Sequence, residues 1–175
     1  EYAALVAAGA LTLSQAVPLV RLRAQAMQDA VPVGTGAMAA ILGMDAAKVI
    51  AGCLEVSQSF ASDSGEIVEA VNFNDPAQTV IAGSKAAVEK ACEALKAAGA
   101  KRALPLPVSA PFHSSLMRPA AEKLKERLES IDFAPLQVAL VNNIDVAVET
   151  DADKLRDALY RQAFGPVRWV ECVQA

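Results

Sequence analysis

The chain holds one histidine, His113, in the stretch LPVSAPFHSSLM, between Pro111-Phe112 and the pair Ser114-Ser115. An imidazole titrates close to neutrality and is the ordinary side chain for moving protons in catalysis. A loop that leaves a strand and opens a helix is also where α/β proteins carry such groups. Residue pattern alone leaves three readings of His113 open: a proton-transfer catalyst, a structural imidazole and a surface residue. Ser109, Ser114 and Ser115 read as turn and cap residues rather than nucleophiles. None has the glycine-flanked strand-turn-helix setting that exposes a reactive serine.

A second group with chemical capacity is Arg23. Leu19, Arg23 and Met27 are spaced i, i+4 in LTLSQAVPLVRLRAQAMQDAVP, which sets the guanidinium along an apolar helical stripe. A guanidinium facing inward demands an anion, whereas one that snorkels keeps its head in water. Asn72 and Asn74 in VNFNDPAQTVIAG are polar groups at a strand end, or plain hairpin chemistry. Lys101 and Arg102 open the strand that leads to His113; they are placed to hold a phosphate near a site mouth, or are solvated charges. Cys53, Cys92 and Cys172 are widely spaced, with no CxxC pair and one histidine to join them. That argues against a disulfide framework or a zinc site and for small core residues in a reducing compartment, the cytoplasm. The methionines read as gap-fillers.

The elements that must position these groups follow from periodicity and punctuation. Residues 1–11 predict a buried helix. A second helix follows with Ser14 as its cap, Val17, Val20, Ala24 and Met27 on its apolar face, and Pro18 tolerated near its start. From Gly34 the order is strand (GAMAAILGM), helix (DAAKVIAGCLEVSQ), strand (EIVEAVNFN), strand (AQTVIAG), helix (SKAAVEKACEALKAAG) and strand (KRALPLPVS). This βαββαβ series suggests a ferredoxin-like unit, its second helix capped by Ser84 and closed by Gly99. Beyond His113, SSLMRPAAEKLKERLESI predicts a helix capped by Ser114 or Ser115, with Leu116, Ala120, Leu124, Leu128 and Ile131 inward. LQVALVNN predicts a buried strand, TDADKLRDALYRQA a helix with Thr150 and Asp153 as a capping box, and PVRWVECV a closing strand or extended segment.

Bulk properties narrow the function classes. With 175 residues, 54% of them hydrophobic and 21% charged, the chain can bury a full core. A net charge of −4 gives none of the basic footprint that nucleic-acid binding needs. No run of 18 or more apolar residues suggests a membrane span. EYAALVAAGAL has no capping residue ahead of it and VRWVECVQA stops in apolar sequence, so the segment is expected to be part of something larger.

Taken together these stretches resemble the malonyl-CoA:acyl carrier protein transacylase family. The resemblance runs through the whole chain, in EYAALVAAGALTLSQAV, RAQAMQDAVPVGTGAMAAILG, VNFNDPAQTVIAG, AGAKRALPLPVSAPFHSSLM and VNNIDV followed by RQAFGPVRW. It implies an α/β fold: a partial α/β-hydrolase-like acyltransferase domain, residues 1–33 and 113–175, with a ferredoxin-like subdomain, residues 34–112. It implies that His113 is the catalytic base and that the Gln162 main-chain carbonyl orients it in place of a triad aspartate. It assigns Arg23 to the malonyl carboxylate and Phe112 to a pocket for unbranched malonyl; Met27, Asn72, Asn74, Lys101 and Arg102 complete the expected substrate-binding set. Malonyl-CoA and acyl carrier protein are the implied substrates, with no metal or redox cofactor. The family's GHSxG nucleophile elbow, its GQGSQ segment and a downstream glycine-rich segment do not occur in these residues. The nucleophilic serine is therefore expected three positions before Glu1. The alternative is a non-catalytic ferredoxin-like binding or regulatory module.

Overall fold

The computed structural model describes residues 1–108 and 110–175; the expected turn residue Ser109 lies outside the described residues. Strands β1 (Gly36–Leu42), β2 (Val68–Asp75), β3 (Gln78–Ser84) and β4 (Arg102–Pro105) form an antiparallel sheet in the order β2-β3-β1-β4. Helix α3 (Ala46–Gln58) joins β1 to β2, and α4 (Lys85–Ala97) joins β3 to β4. This is the ferredoxin-like arrangement that the order of elements implied.

The two-residue period of the strands divides the sheet into two faces. Ala39, Ile41 and Ile81 pack under α3 and α4 against Val49, Cys53, Val88 and Leu95. Met38, Ala40, Val71, Val80 and Ala82 gather on the other face, with Leu106 and Phe112 against them. Met38 and Val80 of that second face also line a cleft of about 580 Å³. Strand β4 ends at Pro105, short of the expected KRALPLPVS strand, because Pro107 has no N–H to continue the ladder. Gly99, at φ +107°, ends α4 in the left-handed region that a side chain would resist.

A second core gathers Leu5, Leu19, Leu124, Leu128, Leu155 and Leu159. They come from α1 (Tyr2–Ala7), α2 (Leu13–Gln28), α5 (Arg118–Glu129) and α6 (Ala152–Gln162). Helix α2 is capped two residues earlier than its sequence suggested. Thr12, not Ser14, forms a reciprocal capping box with Gln15. Its buried stripe is Ala16, Leu19, Ala26 and Met27, which leaves Val17, Val20 and Ala24 exposed. A 3-10 turn, Ser115–Met117, precedes α5, and neither Ser114 nor Ser115 caps a helix through its side chain. Ala120, Leu124, Leu128 and Ile131 are buried as expected, and Leu116 is half-buried.

Three further expectations change. Asp151 caps α6 alone, its carboxylate accepting from the main-chain N–H groups of Asp153 and Lys154, so the Thr150–Asp153 box does not form. The expected strand over residues 136–143 contracts to β5 (Leu140–Asn142), which pairs with β6 (Ala147–Glu149). The closing segment is a helix, α7 (Trp169–Gln174), with an Arg168–Glu171 ion pair at 2.6 Å across its first turn. Six residues are too few for periodicity to separate helix from strand. Only Val167 keeps a strand-like role. It bridges in parallel to Asn72, donates to the Val71 carbonyl at 2.7 Å and accepts from the Phe73 N–H at 2.8 Å.

The cap assignment has a direct test in chemical denaturation. Thr12→Ala is expected to destabilise the protein by about 1 kcal/mol, and Ser14→Ala by less than about 0.5 kcal/mol. The reverse ranking would return the cap to Ser14.

Candidate active site

The loop carrying His113 is clamped before any partner reaches the imidazole. Gly36, the first residue of β1, lies so close to Pro111 that an added Cβ would sit 2.4 Å from its Cδ, which admits only glycine. The Ser114 hydroxyl donates to the Pro111 carbonyl at 2.6 Å, and the Ser115 N–H donates to Glu69 Oε2 on β2, also at 2.6 Å. Between these ties His113 takes φ +64°, a left-handed backbone uncommon for a side chain of this size. Such a conformation persists where the surroundings over-determine it, and it concentrates at functional sites.

The imidazole points to the end of α6. Its Nδ1 lies 3.2 Å from the main-chain oxygen of Gln162, the last residue of that helix. A carbonyl only accepts, so this contact favours a proton on Nδ1, the tautomer that leaves Nε2 as the basic nitrogen. Burial, and then the positive charge of Arg23, lower the His113 pKa to about 4, while main-chain partners at Gln162 and Gly165 pull it partly back. The ring is therefore neutral at physiological pH, the state a proton acceptor requires.

Arg23 is half-buried on α2 and reaches across 139 residues of sequence, Nη2 to Gln162 Oε1 at 3.5 Å. Among the described residues no carboxylate pairs with it. The cleft beside it, about 580 Å³, is lined by Arg23, Met27, Asn72, Asn74, Phe112 and His113, with apolar walls from both the sheet and α2. A guanidinium with open donors in a largely apolar cleft suits a planar anion, which it can grip through two parallel hydrogen bonds.

Seven of the nine sequence-derived site residues meet here: the six cleft residues and Gln162. Lys101 and Arg102 do not. They lie at the start of β4, paired with the far end of β1 at Leu42, and the Lys101 stem packs over Gly43. Sequence reasoning also missed Glu69, which had no signal in its strand, and Asn143, noted only as the end of a strand. Asn143 Oδ1 accepts from Gln162 Nε2 and from the Arg168 N–H, each at 3.3 Å. On this side of His113 lies a second cavity of about 330 Å³, lined in part by Glu1, Ala4, Asn143, Trp169 and Cys172. Burial pushes the Cys53 thiol up to about 12, consistent with an inert core residue.

Known proteins resemble this chain in sequence and fold. The profile of a family described as acyl transferase domain matches residues 1–173. The malonyl CoA-acyl carrier protein transacylase of Escherichia coli (strain K12) is 53% identical over 174 residues, covering 99% of this chain and 54% of the relative. A crystal structure of acyl-carrier-protein S-malonyltransferase from Burkholderia pseudomallei 1710b superposes with a TM-score of 0.94 at 63% identity, over 99% of this chain and 55% of that one. A structure described as a type II PKS acyl-carrier protein in complex with its malonyl-transacylase gives 0.93 at 53% identity, over 99% and 54%. The chain thus spans about half the length of the relatives it matches.

The half-buried, neutral imidazole makes a thermodynamic prediction. Between the ordinary value of 6.5 and about 4 the unfolded chain binds a proton at this position that the folded chain refuses. Stability at His113 is therefore full above about 6.5 and is lost as pH falls towards 4. NMR titration of the His113 ring is expected to give a midpoint near 4, and His113→Gln to remove that part of the acid sensitivity in denaturation curves. A midpoint near 6.5 would contradict the geometry.

Proposed function

The chain belongs to the acyl transferase domain family, and from that premise we propose that it supplies the base and the carboxylate anchor of a malonyl-CoA:acyl carrier protein transacylase of fatty acid synthesis. The observation that carries this reading is the pairing, in one cleft, of a neutral His113 with an Arg23 that no carboxylate among the described residues pairs. In the proposed cycle His113 Nε2 takes the proton of a serine hydroxyl as its oxygen attacks the malonyl thioester carbon. The imidazolium then gives that proton to the departing coenzyme A sulfur. In the second half-reaction the same nitrogen takes the proton of the pantetheine thiol on the carrier protein, and returns it to the serine as the malonyl group moves to sulfur.

The serine is proposed to come from chain beyond these 175 residues, in keeping with relatives of about twice the length. Arg23 receives the free carboxylate of the malonyl group. Phe112 and Met27 bound the pocket for an unbranched acyl chain, and Asn72 and Asn74 supply polar lining toward the substrate. Lys101 and Arg102 are given no part in the cleft. No metal or redox cofactor enters these steps. The division into residues 34–112 and the flanking residues 1–33 and 113–175 belongs to the same proposal and is supported by their separate apolar cores. A cytoplasmic location fits malonyl-CoA as substrate; no helix among the described residues is long and apolar enough to cross a membrane.

Selectivity tests the role of Arg23. Each charge-assisted hydrogen bond contributes about 1.5–3 kcal/mol, so losing a two-bond fork corresponds to about a hundredfold or more. In the full-length chain Arg23→Ala is expected to lower kcat/KM for malonyl-CoA by that factor and to leave acetyl-CoA use little changed. Equal losses for both substrates would remove the carboxylate assignment. Incubation with radiolabelled malonyl-CoA followed by denaturation is expected to leave covalent label on the full-length chain and none on residues 1–175 alone. Label on the shorter piece would place the nucleophile within it.

A further inference from the structure

His113 Nδ1 faces two groups of one residue that make opposite demands. The Gln162 main-chain oxygen, at 3.2 Å, accepts, so it favours a proton on Nδ1. The Gln162 side-chain nitrogen, at 3.3 Å from the same Nδ1, donates, so it favours a bare Nδ1 and a proton on Nε2. The second tautomer has no basic nitrogen left for a substrate. Which of them forms depends on where the amide protons of Gln162 can go.

The amide cannot escape the conflict by turning over. Its Oε1 faces the Arg23 guanidinium, which has donors only, so reversing the amide would set N–H against N–H. Nε2 is therefore held on the imidazole side, where the alternative acceptor is Asn143 Oδ1 at 3.3 Å. Asn143 is itself fixed. It is buried, its N–H donates to Glu1 Oε1 at 2.7 Å, its Nδ2 reaches Cys172 Sγ at 3.5 Å, and its Oδ1 also accepts from the Arg168 N–H. Because its Nδ2 and Oδ1 each have partners of the matching kind, the oxygen faces Gln162.

We propose that Asn143 is a positioning residue that selects the Nδ1–H tautomer of His113 by drawing the side-chain amide protons of Gln162 away from the imidazole. The geometry stands apart from any activity. Only its consequence for turnover rests on the transacylase reading.

The test measures both. Long-range proton–nitrogen correlation spectra of the 15N-labelled full-length chain at neutral pH distinguish the two tautomers, and the His113 signals are identified by difference against His113→Gln. The parent is expected to be mainly Nδ1–H. Asn143→Leu, and Asn143→Ala where bulk in the site disturbs folding, are expected to move the population towards Nε2–H. They should lower kcat for malonyl transfer by about tenfold or more, with KM for malonyl-CoA little changed because Arg23 is untouched. Asn143→Asp keeps an acceptor and is expected to keep Nδ1–H. Gln162→Met added to Asn143→Leu removes the competing donor, leaves the main-chain carbonyl, and is expected to restore Nδ1–H. A purely structural role for Asn143 predicts no such restoration. Persistence of Nδ1–H in both Asn143→Leu and Asn143→Ala, or failure of the double variant to recover it, overturns the inference. If the tautomer follows these substitutions while no form of the protein transfers malonyl groups, the inference stands and the transacylase reading falls.

Discussion

The hydrogen bond from His113 Nδ1 to the main-chain oxygen of Gln162 is the constraint on which the site is built. Its acceptor is one of the carbonyls that the last turn of any helix leaves without an intrahelical partner. A helix end therefore orients an imidazole with no carboxylate required, and it adds the partial negative charge of a helix C-terminus. That charge is weaker than a full carboxylate. It fits a base that must remain neutral between turnovers, and the His113 pKa near 4 follows from burial and Arg23 outweighing the main-chain acceptors.

Arg23 and His113 are coupled by the same electrostatics. A guanidinium without a carboxylate partner lowers the proton affinity of the ring beside it. An anion seated on Arg23 cancels that repulsion, so under the proposed function the substrate's own carboxylate strengthens the base at the moment it is needed. Desolvation remains and keeps the change partial. An uncharged acyl group brings no such gain and also leaves the guanidinium unpaired. Selectivity and activation then have one source.

Much of this was legible in the sequence, and what failed did so for physical reasons. The βαββαβ order followed from strand alternation and from helices ended by Gly99 and similar signals, because those features are local. Arg23, Met27, Phe112, Asn72 and Asn74, singled out from the sequence, line one cleft with His113. The α2 cap was misplaced because Thr12, Ser14 and Gln15 together offer two competing caps within one turn. The 169–174 helix read as strand because its first turn is fixed by an ion pair rather than by an apolar stripe. The contacts of Glu69 and Asn143 were not legible because their partners, Ser115 and Gln162, lie 46 and 19 residues away. Lys101 and Arg102 were misjudged because proximity in sequence to His113 runs along β4, and a strand carries its two ends apart.

The site draws on residues from Arg23 to Arg168, and main-chain contacts hold its two sides together. Edge strand β2 would otherwise present unpaired groups; Val167 covers it on both sides of Asn72. The same strand carries Glu69, whose carboxylate holds the N–H of Ser115 two residues beyond His113. One strand thus fixes the wall of the cleft at Asn72, the loop of the base at Ser115 and, through Val167, the chain that follows α6. A shift of β2 relative to α6 would move Asn72 and the His113 loop together against Gln162. The bond at Nδ1 therefore depends on the fit between the ferredoxin-like sheet and the helices, more than on any residue adjacent to His113 in sequence.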